Sequence, residues 1–308
     1  MTSLPTALRD TTTLLTSVSE TPRLDAELLM AHALGIDRSS MLLRQAELAV
    51  PMEFQLLVER RIAHEPVAYI IGRQAFWDLE LGVTPDVLIP RADSETLIEA
   101  AIEAFSPLPP EGGCRAVDTD SPSPSPSRKR EGKPARVLDL GTGSGALLLA
   151  ALSAFPAATG IGIDASMAAL GIAKGNAERL GFGNRAQWLH RSWRDAGWNE
   201  DLGHFDLILC NPPYVETDAA LAPMVEAYEP HGALFAGVDG LDDYRILLPL
   251  IPALLAPSGI AIFEIGHMQA DAVGDMAKSA GLSTELRHDL AGKPRALRFS
   301  LGIGVSNR

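Results

Sequence analysis

Asn211-Pro212-Pro213-Tyr214 combines residue types that can hold a planar group bearing an NH2. Two consecutive prolines fix φ and remove two backbone donors, leaving a stiff turn whose carbonyls face outward. Asn211 adds a side-chain acceptor and donor, and Tyr214 adds a flat ring. Two acceptors for two hydrogens, with a ring to pack on, suit a carboxamide or an adenine amino group. The same four residues also read as a rigid turn with no site, because Asn-Pro and Pro-Pro mark turns generally. Their placement argues for the site. They follow a strand-like run, Phe205–Cys210, and open α/β sheets bind ligands just past the carboxyl ends of strands.

A second constellation lies upstream. Val137-Leu138-Asp139-Leu140 runs into Gly141-Thr142-Gly143-Ser144-Gly145 and then into an apolar helix. The glycines allow a sharp turn and close approach to a ligand, and the helix behind them offers free N–H groups. Asp164 ends the next strand, where a carboxylate can accept from both hydroxyls of a ribose. An adenosine-bearing ligand is therefore expected, and NAD and S-adenosylmethionine both satisfy the pattern. Two details favour S-adenosylmethionine. The spacing is Gly-x-Gly-x-Gly rather than Gly-x-Gly-x-x-Gly, and Asp139 precedes the loop. A carboxylate there would repel a pyrophosphate and suit an ammonium or sulfonium. Joined to the Asn-Pro-Pro-Tyr clamp, the reading becomes methyl transfer to a planar nitrogen. No His or carboxylate stands out as a general base.

The elements that must position these residues follow from periodicity. Residues 4–65 show helical spacing, as in Leu24, Leu28, Leu29, His32 and Ala33, and predict a small helical domain. From Pro66 the period shortens. Val67–Gly72 and Ala75–Leu81 predict a β-hairpin, and Val87-Leu88-Ile89-Pro90 a hinge. The Ser-Pro run at Ser121–Ser127 lies in a stretch at about 106–134 that reads as a disordered insertion, since it cannot bury enough apolar surface to offset its ordering entropy. Strands are expected at Arg136–Leu140, Thr159–Asp164, Ala186–Arg191, Phe205–Cys210 and Ile260–Ile265. Helices at Ala146–Ala154, Ser166–Leu180, Leu241–Leu255 and Gln269–Ala280 alternate with them, and Ser283–His288 and Arg295–Leu301 form a closing strand pair. The fold expected is α/β: a mostly parallel Rossmann-like sheet with an antiparallel last strand. The domain boundaries expected are 1–75 helical, 76–90 hairpin and linker, and 91–308 catalytic.

Composition narrows the function classes. The 308-residue chain is 46% hydrophobic and 21% charged, an ordinary globular balance. A net charge of −13 weighs against general nucleic-acid binding, which needs a basic surface to release counterions. Cys114 and Cys210 suggest no disulfide framework, so a cytoplasmic location is expected. Neither has neighbours that would make a metal site, and no metal is expected. No signal peptide or membrane span is expected either.

Taken together, these segments closely resemble the HemK/PrmC family of protein-glutamine N5-methyltransferases. The resemblance rests on Asp25–His32, Glu65–Gly72, Val83–Arg91, the glycine loop, Asp164, Asn211–Tyr214, Tyr228-Glu229-Pro230 and Asp289–Arg295. It implies a class I methyltransferase sheet and transfer of a methyl group from S-adenosylmethionine to the glutamine of a Gly-Gly-Gln motif in class-one peptide chain release factors. It implies that Gly141, Thr142, Gly143, Ser144, Gly145, Asp164, Trp193 and Asn211 hold the cofactor, with Trp193 lining the adenine pocket and Trp198 its rival. Asn211, Pro212, Pro213 and Tyr214 would hold the glutamine, with Asn211, Pro212 and Tyr214 serving catalysis. The helical domain would bind the release factor, and a monomer is expected. Two departures stand out. The family's Pro-Arg-Pro stretch reads Pro90-Arg91-Ala92-Asp93-Ser94-Glu95, and Ser192 replaces an acidic residue before the tryptophan. Competing readings are glutamine methylation of a ribosomal protein, N6-adenine methylation of DNA, and a cofactor-binding module without turnover.

Overall fold

The computed structural model describes residues 3–106 and 133–302. Nearly all of the Ser-Pro insertion expected to be disordered lies outside the described residues. By its internal contacts the chain divides into two compact units, the first built from the stretch through Gln74 with Glu80–Ile89 and Ala219–Ala233.

That first unit is helical. Its helices are Leu4–Leu15, Pro22–Ala33, Arg38–Leu43, Phe54–Ile62, Val67–Ile71 and Pro223–Tyr228. Ser3 caps the first by accepting from the Thr6 N–H, and Asp37 caps the third by accepting from Ser40, each satisfying an orphan donor of a first turn. Leu4, Leu15, Leu29, Met30, Met41, Phe54, Val58 and Ile70 make the core. Asp25 and Arg61 form a buried ion pair at 2.8 Å, and Arg61 also donates to the Val18 carbonyl. Such a pair is fixed by its extra hydrogen bond, and losing either partner would strand a buried charge.

Two expectations for this unit need correction. Val67–Ile71, expected as a strand, is a helix that starts at Pro66 and ends at Gly72, whose φ is 73°. An apolar run this short does not distinguish strand from helix by period. Burial of Ala68, Tyr69 and Ile70, with Tyr69 Oη donating to the Val87 carbonyl, decides it. The hairpin starts only afterwards, as β1 (Arg73–Phe76) and β2 (Leu79–Gly82). Second, Ala219–Ala233 falls within the span expected to be wholly catalytic, yet it makes its contacts with the helical unit. Tyr228 Oη donates to the Ala63 carbonyl at 2.9 Å, and Glu229 is buried.

The second unit is a seven-stranded sheet. Its strands are β3 (Arg136–Leu140), β4 (Thr159–Asp164), β5 (Ala186–His190), β6 (Phe205–Cys210), β7 (Leu255–Glu264), β8 (Leu282–His288) and β9 (Pro294–Leu301). Their order is β5-β4-β3-β6-β7-β9-β8. All neighbours pair in parallel except β9, which runs antiparallel to both β7 and β8. The last strand of the chain is thus the inverted one, as expected from the short β8–β9 connection. Strands β3 and β6 are nearly continuous in buried apolar residues, as befits strands covered on both faces.

One expected helix is broken. Leu241–Leu255 resolves into helix Asp242–Leu247, a 3-10 turn Leu248–Leu250 and helix Ile251–Leu254. Pro249 and Pro252 lack an N–H and clash with the preceding turn, so one continuous helix cannot form. β7 then begins at Leu255, earlier than expected, with a register shift against β6 between Phe205 and Leu207. Among the described residues no helix is long and apolar enough to cross a membrane.

Candidate active site

The chain leaves β3 toward β4 and β5 on one side and returns to β6 on the other. Open α/β sheets bind ligands at such a reversal, which here falls at the carboxyl ends of β3 and β6. Leu140 pairs with Cys210 across those strands, so Gly141 and Asn211 are the next residues out on adjacent strands. The two constellations read from the sequence are therefore neighbours.

The glycine loop is held by its own backbone. Gly141 and Thr142 N–H both donate to the Ile163 carbonyl, and Gly145 N–H donates to the Thr142 carbonyl. Gly141, Gly143 and Gly145 have φ of 71°, 54° and 84°, the left-handed region that favours glycine. Asp164 accepts from Gly143 N–H and Ser166 N–H, each at 2.8 Å. Each carboxylate oxygen retains a further lone pair, so these bonds position Asp164 without exhausting it. Asn176, on the helix Met167–Arg179 that follows β4, donates to the Ser144 carbonyl at 2.9 Å.

Asp139 is 1% exposed. Its Oδ2 accepts from Thr142 Oγ1 at 2.5 Å and Leu148 N–H at 3.3 Å. Burial pushes its carboxyl up to about 7, against the pull of Thr142 and Leu148. Among the described residues its Oδ1 is buried with no hydrogen-bond partner. An unpaired buried acceptor is costly, and a cationic ligand in the loop would relieve it. This is the fit expected for S-adenosylmethionine: a carboxylate for a cation, a glycine cradle and a second carboxylate for hydroxyls.

The structure separates the tryptophans. A Cβ built on Gly141 would lie 3.0 Å from Trp193 Cη2, so this indole covers the first glycine of the loop. Trp193 Nε1 donates to Asp243 Oδ1 at 2.7 Å, and Arg194 meets the same oxygen at 2.6 Å. Asp243 has a fully buried side chain, and burial raises its pKa despite these partners. Trp198 is instead a core residue, 6% exposed among Leu138, Leu202 and Phe205. Trp188, on β5, lies under the loop: a Cβ on Gly145 would come within 3.1 Å of its ring.

The clamp is tied into a network that extends well beyond its four residues. Asn211 Nδ2 donates to Ser94 Oγ at 3.3 Å. Ser94 Oγ donates to Glu264 Oε2 at 2.5 Å, and Tyr214 Oη donates to Glu264 Oε1 at 3.2 Å. Tyr244 Oη donates to the Glu264 carbonyl at 2.7 Å. Burial raises Glu264, while Ser94, Arg295 and Tyr214 hold it down. Burial and the nearby Glu264 raise the Tyr214 phenol well above its ordinary value, so it stays a neutral donor. Arg295 bridges Asp93 at 2.8 Å and Asp289 at 3.1 Å. Gln269 Nε2 donates to the Tyr214 carbonyl at 3.1 Å and the Gly240 carbonyl at 3.2 Å, fixing the backbone after the two prolines.

The sequence gives Ser94 and Asp289–Arg295 no place in the site, and the fold supplies it. Glu264 and Gln269 carry no motif that marks them in the sequence. The available signal for Glu264 was a single acid closing the apolar run Ile260–Phe263 at the end of a buried strand. Gln269 carried none, because its partners Tyr214 and Gly240 are distant in sequence.

Residues 6–72 match the PrmC N-terminal domain model, and residues 137–232 match a methyltransferase domain model. A release factor glutamine methyltransferase of Rhodospirillum rubrum is 40% identical over 90% of this chain and 78% of its own length. Proteins of the same name from Bradyrhizobium diazoefficiens and Caulobacter vibrioides are each 37% identical. They cover 90% and 93% of this chain, and 88% and 90% of their own lengths.

Proposed function

The chain belongs to the release factor glutamine methyltransferase family, and we propose that it methylates the side-chain amide nitrogen (N5) of the Gly-Gly-Gln glutamine in class-one release factors. S-adenosylmethionine, when bound, supplies an electrophilic methyl on a sulfonium whose leaving group is neutral. Asp139, Gly141–Gly145, Asp164 and Trp193 are the residues that would hold it.

An amide nitrogen is a weak nucleophile because its lone pair is delocalised into the carbonyl. The protein's task is therefore to bind and orient. Orientation alone is worth about 7–11 kcal/mol in well-aligned systems. Asn211 Oδ1 and the Pro212 carbonyl would accept the two amide hydrogens, directing the nitrogen lone pair and stabilising positive charge as it develops. Pro213 stiffens the turn, and Tyr214 packs on the amide and excludes water. No general base is required in the transfer, since the proton can leave to water afterwards.

The observation that carries this reading is the state of the Asn211 amide. Its Nδ2 is engaged by Ser94, which leaves Oδ1 as the acceptor for a substrate N–H. Asn211→Asp keeps the shape and adds a charge. It should lower kcat for a Gly-Gly-Gln peptide by about a hundredfold, the scale of losing one aligned polar group. Wild-type turnover in that variant would contradict the neutral-acceptor role.

The domain reading is part of the proposal: residues 1–75 recognise the body of the release factor, 76–90 connect, and 91–308 carry out the transfer. Exposed apolar residues on the helical unit, among them Leu43 and Met52, support a protein partner there.

A further inference from the structure

We propose that Glu264 and Ser94 are positioning residues that set the direction of the hydrogen bonds in the clamp, and so decide which end of the Asn211 amide meets the substrate. The proposal rests on the glutamine-methylation reading and adds to it the device that orients its central residue.

An asparagine amide can flip, and its two ends then exchange donor for acceptor. Catalysis by amide orientation requires that only one end be presented. The network removes the choice. Glu264 is 1% exposed, and each of its two carboxyl oxygens accepts a hydroxyl proton. Ser94 spends its single proton on Glu264 Oε2, and Tyr214 spends its own on Oε1. The Ser94 oxygen can then only accept, and Asn211 Nδ2 is the group that supplies the proton, at 3.3 Å. The flipped amide would set Oδ1 against a hydroxyl oxygen with no proton between them. Asn211 Oδ1 is thus left for the substrate.

The surroundings keep this order. Ser94 is 4% exposed, so water does not compete for its oxygen. It lies on a 3-10 turn, Ala92–Ser94, directly before helix Glu95–Phe105. The turn is anchored on one side by Asp93 to Arg295 at 2.8 Å, and on the other by Glu95 Oε1 accepting from Trp77 N–H at 2.8 Å. The carboxylate is pinned from its own backbone side by Tyr244. Both ends of the clamp therefore answer to one buried acid: Asn211 through Ser94, and Tyr214 directly.

The test is a kinetic series on the full-length protein with a Gly-Gly-Gln peptide, with cofactor affinity and melting temperature measured for each variant. Ser94→Ala removes the hydroxyl that receives Nδ2. It should lower kcat by about tenfold or more, with KM for the peptide and Kd for S-adenosylmethionine each within about threefold of wild type. Ser94→Thr restores the hydroxyl and should keep kcat within about threefold of wild type. Glu264→Gln offers one acceptor and one NH2 in place of two acceptors, so it should lower kcat whichever hydroxyl it abandons. Wild-type kcat in Ser94→Ala, or an equal loss in Ser94→Thr and Ser94→Ala, would overturn the relay while leaving the functional reading intact. Failure of the wild-type protein to methylate glutamine would instead overturn the reading on which the relay rests.

Discussion

Asp139 sits where two demands meet. It accepts from Thr142 and Leu148 to shape the glycine loop, yet its second oxygen is buried without a partner among the described residues. Its carboxyl is pushed up to about 7, so the folded chain holds a proton that the unfolded chain has already lost. That contribution is fully present below the unfolded value and disappears as pH rises through the folded one. The melting temperature of the cofactor-free protein should therefore fall between about pH 4 and about pH 7, and that of Asp139→Asn should fall less. Equal slopes would contradict the assignment. At this scale the residues with distinctive chemistry were legible in the sequence: Asn211, the glycines, Asp164 and Asp139. By type Trp193 and Trp198 are equally good core residues, so only the family resemblance favours Trp193; the fold then sets Trp193 against Gly141 and Trp198 in the core. Glu264 and Ser94 were not legible as partners, because 170 residues separate them and the pairing exists only once helix Glu95–Phe105 packs against β7.

Among the elements, the loop after β6 is held at its backbone. Its Tyr214 carbonyl is held by Gln269 and crowded by Gly240. A Cβ on Gly240 would come within 2.3 Å of that carbonyl oxygen, at a φ of +67°. Gly240→Ala should displace the loop and add backbone strain of about 1–3 kcal/mol. The expected readout is a melting temperature lowered by several degrees and a kcat that falls more than cofactor affinity does. A variant with wild-type kcat would show that the Tyr214 backbone is not held as described. Long βα elements were readable because burial and period agree there, as in β3 with helix Ala146–Ala154. Short elements were not. Val67–Ile71 has strand-like composition and becomes helical because its apolar residues are buried in a helical core. The span Leu241–Leu255 has helical composition and is broken by its own prolines.

Across the whole molecule, the helical unit exposes large apolar side chains that its own core does not use. Leu43, Met52 and Leu56 are 87%, 96% and 62% exposed. Exposed apolar groups of this kind mark protein contacts when they cluster. Met52→Glu and Leu56→Glu should raise KM for an intact release factor by about fivefold or more, and do so more than for a Gly-Gly-Gln peptide. Equal effects on both substrates would count against recognition by this unit. The sequence located the helical unit but not its full extent. Ala219–Ala233 joins it from far along the chain, and nothing in that segment's own composition announces where it docks.

The most direct measurement is mass spectrometry, intact and after trypsin, of an unmethylated class-one release factor incubated with the protein and S-adenosylmethionine. The predicted result is a single added methyl on the glutamine of Gly-Gly-Gln, absent with Asn211→Ala. An unmodified release factor, under conditions where cofactor binding is demonstrated separately, would contradict the assignment.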